Sequence, residues 1–370
     1  MDLIFTDEQD ALRHMVRQMV DKGNFDATRL MEQSDAGFDP QLWRQFADAG
    51  LTGMALPADM GGDGMSLLDA VVVFEEMGRA LVPSPLFASV GICAEAILQA
   101  GSNEQKAHWL PQIASGEAIV VPAWLEADGG YGEGGVTLAA VPHGDSWRLT
   151  GDKWHVPFAA SAQALVVVAR AEQGWTLFLV DPGQSGVSIE SQTSLARDSQ
   201  SIVSFDSATG ELLGTIGGAW GLWHDVMNRA AIFAAAQASG GSRRVLEITV
   251  EHAKTRHQFG KPLGAFQAVS HYLADGVTEI DAAQALVWQA AWVADNGQSI
   301  RRLAPMAKLS ACNVFRDISA ISLQICGGLG FTTDFDAQLF FRRAKQWQLS
   351  WWDTTYLEDL IAADALDSVS

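Results

Sequence analysis

Basic residues are scarce in this chain. Lys plus Arg number 24 against 44 Asp plus Glu, a formal net charge of −20 over 370 residues. That balance excludes nucleic acid and anionic membrane as general partners, yet leaves room for a local cationic pocket that takes a phosphate-bearing ligand. Cysteine is rarer: Cys93, Cys312 and Cys326 are odd in number, widely spaced and form no CxxC. No disulfide framework follows from such a pattern; reduced thiols in a cytoplasmic protein do. No apolar run approaches the ~20 residues of a membrane span. The start, MDLIFTDEQD, is acidic and has no apolar signal core, so the expectation is a soluble, intracellular chain. Internal repeats, low-complexity linkers and the Rossmann dinucleotide fingerprint are also missing.

What is present is a globular composition, 48% apolar and 18% charged, long enough for two or three domains or one large one. Residues 1–118 read as helical. Thr6 ahead of Asp7, Glu8 and Gln9 predicts a helix start, followed by Leu12, Met15, Val16 and Met19 at helical spacing. Further helices are expected over 41–49, ended by Gly50, and over 67–81, stopped by Pro83 and Pro85. Residues 119–218 change character, with short β-prone runs such as AIVVPAW, WRLTG, ALVVVAR, WTLFLVD, GVSIE and SIVSF between turn residues. A small barrel or sandwich is expected there. Residues 219–370 are helical again, in long segments over 225–256, 265–295 and 301–326 that suit a bundle of about four helices.

Two stretches carry candidate chemistry. In RHQFGKPLGAFQ, the guanidinium of Arg256 offers a planar fork for pyrophosphate or carboxylate, and Phe259 offers a flat face for a ring. On spacing alone, a surface arginine and a core phenylalanine explain it equally well. In QICGGLGF, adjacent glycines allow positive φ and close approach, with Gln324 at hand to donate and accept; a plain glycine helix end explains that as well.

Taken together, these motifs and their order resemble the acyl-CoA dehydrogenase family over nearly the whole chain. The carrying residues are FTDEQ near the start, LPADMGGDG at 56–64, FEEMGRAL at 74–81 and TGDKW at 150–154. RHQFGKPLGAFQ at 256–267, QICGGLGF at 324–331 and FRRAK at 341–345 complete the set. The resemblance implies an α+β protein: an N-terminal α-helical domain, a middle β-domain and a C-terminal four-helix bundle. It also implies bound FAD, an acyl-CoA substrate, dimers or tetramers, and an electron-transferring flavoprotein as acceptor. In the family, the RxxFG and QxxGG segments hold the FAD of a neighbouring subunit. Carried over, that role falls on Arg256, Gln258, Phe259, Gln324, Gly327 and Gly328, with Gln267 close to the same ligand.

The chain departs from the family where the reaction needs a base, since dehydrogenation requires a carboxylate to take the α-proton of the thioester. Counting from Lys345 puts Trp351 at the usual glutamate position, with Asp353 two places on. In the alternative position, before RxxFG, stands Asn228, an amide that cannot act as base, with Asp225 one turn earlier. The flavin-ring pocket is altered too. Glu126 remains, but Leu125 replaces a threonine, and TGDKWHVP brings His155 and Pro157, the latter without a backbone donor. The resemblance therefore points to the subunit of a heteromeric member that lacks the base, paired with a related subunit. Some such heteromers act on steroid side-chain acyl groups.

Asp353, within WWDTTY, reads either as a base or as a cap for a helix starting at Thr354, the cap being favoured. A self-sufficient homotetramer using Asp353, and a flavin-free acyl-CoA-binding subunit, are the competing readings. Trp347, Trp351 and Trp352 either block a substrate channel or line a wide one.

Overall fold

A computed structural model describes residues 5–367 apart from residues 24 and 145. Residues 1–4, part of the start inspected for a signal core, lie outside it. In chain order the helices are α1 (Asp7–Val20), α2 (Asp26–Met31), α3 (Pro40–Asp48), α4 (Leu67–Arg79), α5 (Leu86–Ala88), α6 (Glu95–Ala100) and α7 (Asn103–Ala114). After the strands come α8 (Ala219–Thr255), α9 (Gln267–Asp295), α10 (Leu303–Cys326), α11 (Ala337–Leu349) and α12 (Thr354–Asp367). None of the described helices is long and apolar enough to cross a membrane.

Local chemistry accounts for the helix starts. Thr6 caps α1 and exchanges reciprocal bonds with Gln9; Ser66 with Asp69 does the same for α4, and Ser102 with Gln105 for α7. Asp39 caps α3, whose first residue is Pro40, a ring already set at the helical φ.

The chain forms two compact units. One comprises residues up to 28, 66–82 and 231 onward; the other comprises 29–65 and 83–230. The segment 1–118 contributes to both. In the first unit α4 packs against α8 at two glycines. A methyl group built on Gly78 would sit 2.0 Å from the Gln237 carbonyl oxygen, and one on Gly240 would sit 1.9 Å from that of Glu75. Phe74 meets Phe233 at 4.6 Å beside this crossing. Gly241 faces the Phe315 ring of α10, and Gly276 of α9 faces Ile318. Both carboxylate oxygens of Asp295, the last residue of α9, receive the free N–H groups that open α4, from Leu67 at 2.7 Å and Leu68 at 3.1 Å.

The second unit holds the sheet: β1 (Val120–Ala123), β2 (Ala139–His143), β3 (Ser146–Pro157), β4 (Ala164–Ala171), β5 (Gly174–Val180), β6 (Val187–Gln192) and β7 (Gln200–Leu213). Pairing runs β4–β2–β3–β7–β5, and β5 pairs back to β4, closing a barrel. β1 and β2 share one edge of β4, both parallel to it, and β6 lies along β7. Of the two expected β architectures, the barrel is the one present. Its interior takes alternate residues such as Leu149, Val167, Phe178, Val203 and Phe205, all buried.

Candidate functional site

The RHQFG segment forms a tight hairpin after α8. β8 (His257–Gln258) pairs with β9 (Lys261–Pro262), and the two residues between them, Phe259 and Gly260, have φ of +53° and +81°. Positive φ at both central positions defines a type I′ turn, which glycine and asparagine enter at low cost and a phenylalanine does not. Phe259 is nevertheless there, 92% exposed, with the Phe266 ring edge-on at 6.2 Å. A strained backbone that holds a large ring in solvent stabilises nothing within this chain, and such outliers gather at ligand sites.

Arg256 is exposed at the base of the hairpin, its carbonyl accepting from Leu263 N–H at 2.9 Å. Gln258 is exposed, its side-chain amide donating to the neighbouring His257 carbonyl at 2.8 Å. Gln267 is exposed as the first residue of α9. The second motif ends α10. Gln324 is exposed, Gly327 turns the chain at φ +61°, ψ −141°, and nothing lies within 4 Å of a methyl group built on Gly327 or Gly328. Only glycine enters that backbone region freely, and the two bare glycines leave a cradle that side chains would fill.

Both motifs belong to one end of the first unit. Thr249 of α8 donates to the Ser322 hydroxyl of α10 at 2.7 Å, so the two helices run side by side into their last turns. Beyond them, His252 packs edge-on against Phe335 at 5.7 Å. Burial first, and the Arg256 charge second, hold the His252 imidazole below its ordinary pKa. The fold thus gathers a guanidinium, an exposed ring, amides and bare glycine backbone at one end, a set suited to a flat, pyrophosphate-bearing cofactor.

The region expected to hold the base is built differently. Lys308 on α10 is fully buried and donates to three carbonyls: Trp347 and Ser350 at 3.0 Å and Trp352 at 2.8 Å. This grip shapes the loop after α11, where Trp351 and Trp352 both have positive φ, +57° and +77°. Trp347 and Trp352 are core residues and Trp351 is half-buried. Asp353 faces the next helix: its Oδ1 accepts from Tyr356 N–H at 2.9 Å and its carbonyl from Leu357 N–H at 3.0 Å, which caps α12. Reading the sequence missed Lys308. Its signal was a lone lysine in the apolar run LAPMAKLSA.

In the second unit Asn228 is buried, its side-chain amide donating to the His224 carbonyl at 2.9 Å, while Asp225 is exposed. Glu126 has a structural task. It accepts from Lys153 Nζ at 2.7 Å, from Thr137 N–H and hydroxyl, and from Leu138 N–H at 2.9 Å. Burial works against the Glu126 carboxylate, but Lys153 and these donors hold it below the usual range. Lys153 is fully buried, and desolvation outweighs its partner, lowering its pKa to about 8. The burial penalty of the pair therefore falls on the ammonium, which has fewer donors and acceptors around it than the carboxylate. His155 has φ +56°, its ring 3.1 Å from Gln200 Oε1. Pro157 is buried against β7. An FAD ring would find no hydroxyl at Leu125 and no N–H at Pro157.

The Lys153 environment yields a pH prediction. A lysine at about 8 when folded and near 10.4 when unfolded binds fewer protons in the native state between those values. Its charge penalty on the folded state is fully present below pH 8 and is relieved as pH rises to about 10.4. Urea unfolding of the wild type and Lys153→Met is expected to diverge over that window, the wild type gaining up to about 3 kcal/mol relative to the variant. Parallel pH profiles would refute the assignment.

Comparison with known proteins places this architecture. Residues 6–117, 123–208 and 220–350 match the models of the acyl-CoA dehydrogenase N-terminal, middle and C-terminal domains. The acyl-CoA dehydrogenase FadE27 of Mycobacterium tuberculosis is 31% identical, the match covering 94% of each chain. Among solved structures, a variant of the Tcur3481–Tcur3483 steroid ACAD is 34% identical with a TM-score of 0.88, covering 97% of this chain and 99% of its own. The ChsE4–ChsE5 complex of M. tuberculosis is 28% identical with a TM-score of 0.91, over the full length of both chains.

Proposed function

This chain belongs to the acyl-CoA dehydrogenase family of FAD-dependent oxidoreductases, and we propose that it is the base-lacking subunit of a heteromeric member. In this reading Arg256, Gln258, Phe259, Gln324, Gly327 and Gly328, with Gln267 beside them, reach into the FAD site of a related partner subunit. One observation carries it: Phe259 is held in a strained turn with its ring in solvent beside an exposed arginine, a posture explained by a ligand outside this chain. Supporting it, Leu125 and Pro157 offer no hydroxyl or N–H to a flavin ring, Trp351 stands at the usual base position, and Asp353 is occupied as a helix cap.

FAD, when bound, supplies the hydride acceptor for the α,β-dehydrogenation of an acyl-CoA. This chain's part is to grip. Arg256 offers charge-assisted donors to the pyrophosphate, Phe259 covers a ring and excludes water, and the bare glycines let the cofactor approach the backbone. The α-proton is taken by a residue of the partner. We further propose a bulky, steroid side-chain acyl-CoA as substrate, supported by the steroid and two-protein complexes among the similar structures. An electron-transferring flavoprotein is the proposed acceptor.

The test is expression of this chain alone and together with a related subunit encoded beside it, reading visible flavin absorbance, subunit ratio and turnover. Flavin and activity are expected only in the complex. There Arg256→Ala is expected to weaken FAD retention at least about tenfold, the value of one charge-assisted contact. Asparagine caps a helix as well as aspartate does, so Asp353→Asn should leave both stability and turnover within about twofold. A yellow, active homo-oligomer that Asp353→Asn inactivates would establish the self-sufficient enzyme instead. A complex devoid of flavin would establish the flavin-free subunit.

A further inference from the structure

The first unit carries a second polar centre, on α8 but nine or more residues before Arg256, at least ~13 Å along the helix at ~1.5 Å per residue. A cavity of about 280 Å³ lies where α1, α4, α8 and α9 converge. Arg13, Arg17, Arg79 and Arg243 line it, against Glu75, Glu76 and Glu247. Arg243 also pairs with Asp281 and Glu247 with Arg244, so five guanidiniums meet four carboxylates, a local excess of one positive charge in a protein whose net charge is −20.

Each carboxylate faces at least one guanidinium. Glu76 takes a two-pronged pair from Arg17, Nε at 2.8 Å and Nη2 at 2.7 Å. Glu247 takes both nitrogens of the Arg79 fork's open side, and Arg244 besides. Glu75, 2% exposed, receives the Trp288 indole N–H at 2.6 Å and Gln284 at 3.2 Å on one oxygen, and lies 3.0 Å from Arg13 Nη1 on the other. Arg13 Nη2 and Arg79 Nε are both buried and have no hydrogen-bond partner, and Glu75 Oε2, beside Arg13, makes no hydrogen bond either. Leaving a buried N–H of a charged group unmade is costly. A cavity several times the ~30 Å³ of a water, with surplus positive charge and two idle guanidinium donors, has the chemistry of an anion site.

We propose that this cavity binds a compact oxyanion of the size of phosphate, held by Arg13 Nη2 and Arg79 Nε. An anion seated there ties α1 to α4 and α8, because Arg13 comes from the first helix and Arg79 from the close α4–α8 crossing. The proposal does not depend on the flavin reading, since no residue of the RHQFG or QICGG segments takes part.

The test uses the full-length protein and inorganic phosphate as the probe, titrated by calorimetry in chloride of matched ionic strength. Saturable binding with a dissociation constant of order 1 mM is expected. Arg13→Lys and Arg79→Lys keep the charge opposite Glu75 and Glu247 but remove the idle N–H groups, and each is expected to weaken binding about tenfold. Arg316→Lys, paired with Asp317 elsewhere on α10, should not. A crystal soaked in selenate gives a readout that needs no variant: anomalous density beside both guanidiniums supports the proposal. No saturable phosphate binding, binding that either lysine variant leaves undiminished, or selenate on other surfaces as an adventitious ion only, overturns it.

Discussion

Lys308→Met is expected to destabilise the protein by about 3 kcal/mol and to loosen the loop between α11 and α12. The ammonium has three protons, and each meets a carbonyl: Trp347, Ser350 and Trp352. The first of these belongs to the last turn of α11, whose carbonyls have no partner within the helix. Methionine matches the lysine stem in bulk, so packing changes little, but three carbonyl oxygens lose their donor. Orphaning one buried polar group costs about 1–3 kcal/mol. Against that, the variant escapes the cost of burying a charge, which lowers the Lys308 pKa. The balance stays unfavourable because Trp351 and Trp352 sit at positive φ, each a position costing about 1 kcal/mol or more for a non-glycine residue. The lysine's bonds to Ser350 and Trp352 help hold both there. Urea unfolding followed by tryptophan emission and by circular dichroism measures the loss. A change below 1 kcal/mol would show that the carbonyls find water or other donors, and that the loop does not rely on this side chain.

The second large effect belongs to the α4–α8 crossing. Gly240→Ala puts a methyl group 1.9 Å from the Glu75 carbonyl oxygen, and Gly78→Ala puts one 2.0 Å from that of Gln237. Both obstacles are backbone, so no rotamer change relieves them, and the two helices must separate along their length. Overpacking of a close-packed contact costs about 1–3 kcal/mol when side chains can yield, and more when they cannot. Each alanine is therefore expected to cost at least about 3 kcal/mol, to lower the yield of soluble protein, and to disturb the Arg79–Glu247 pair that spans the same helices. Gly221→Ala supplies the control. It lies in the same helix with nothing within 4 Å of the added methyl group, and should be neutral or stabilising by up to about 1 kcal/mol. If Gly240→Ala melted with the wild type, the close approach of the two backbones would not be a requirement of the fold.

Much of the fold was readable from local signals. Thr6 does begin a helix, and the long helices over 219–255, 267–295 and 303–326 lie within a few residues of the expected segments. Each of the six β-prone runs falls in a strand. Within the barrel, the strand that went unread is β2, Ala139–His143, where alanines and Pro142 give almost no β signal and most side chains are exposed. It is a strand because β3 and β4 flank it, which is tertiary context overriding propensity. The tryptophans near the end of the chain were read as part of a channel, blocked or wide. Trp347, in the last turn of α11, and Trp352, in the loop after it, turn out to be core, and a lysine far away in sequence binds the carbonyls of both.

The chain by itself determined its helix starts, its division into helical and β-forming stretches, and the residue types present at RHQFG and QICGG. These are short-range matters, set by caps, period and backbone freedom within a few residues. Only the tertiary structure decided that two glycines 162 positions apart, Gly78 and Gly240, meet the opposing backbones, that Lys308 organises a loop some forty residues on, and that four arginines surround one cavity. Those contacts pair residues whose side chains carry no mark of one another in the sequence. They exist only where packing brings separate helices within van der Waals or hydrogen-bond distance.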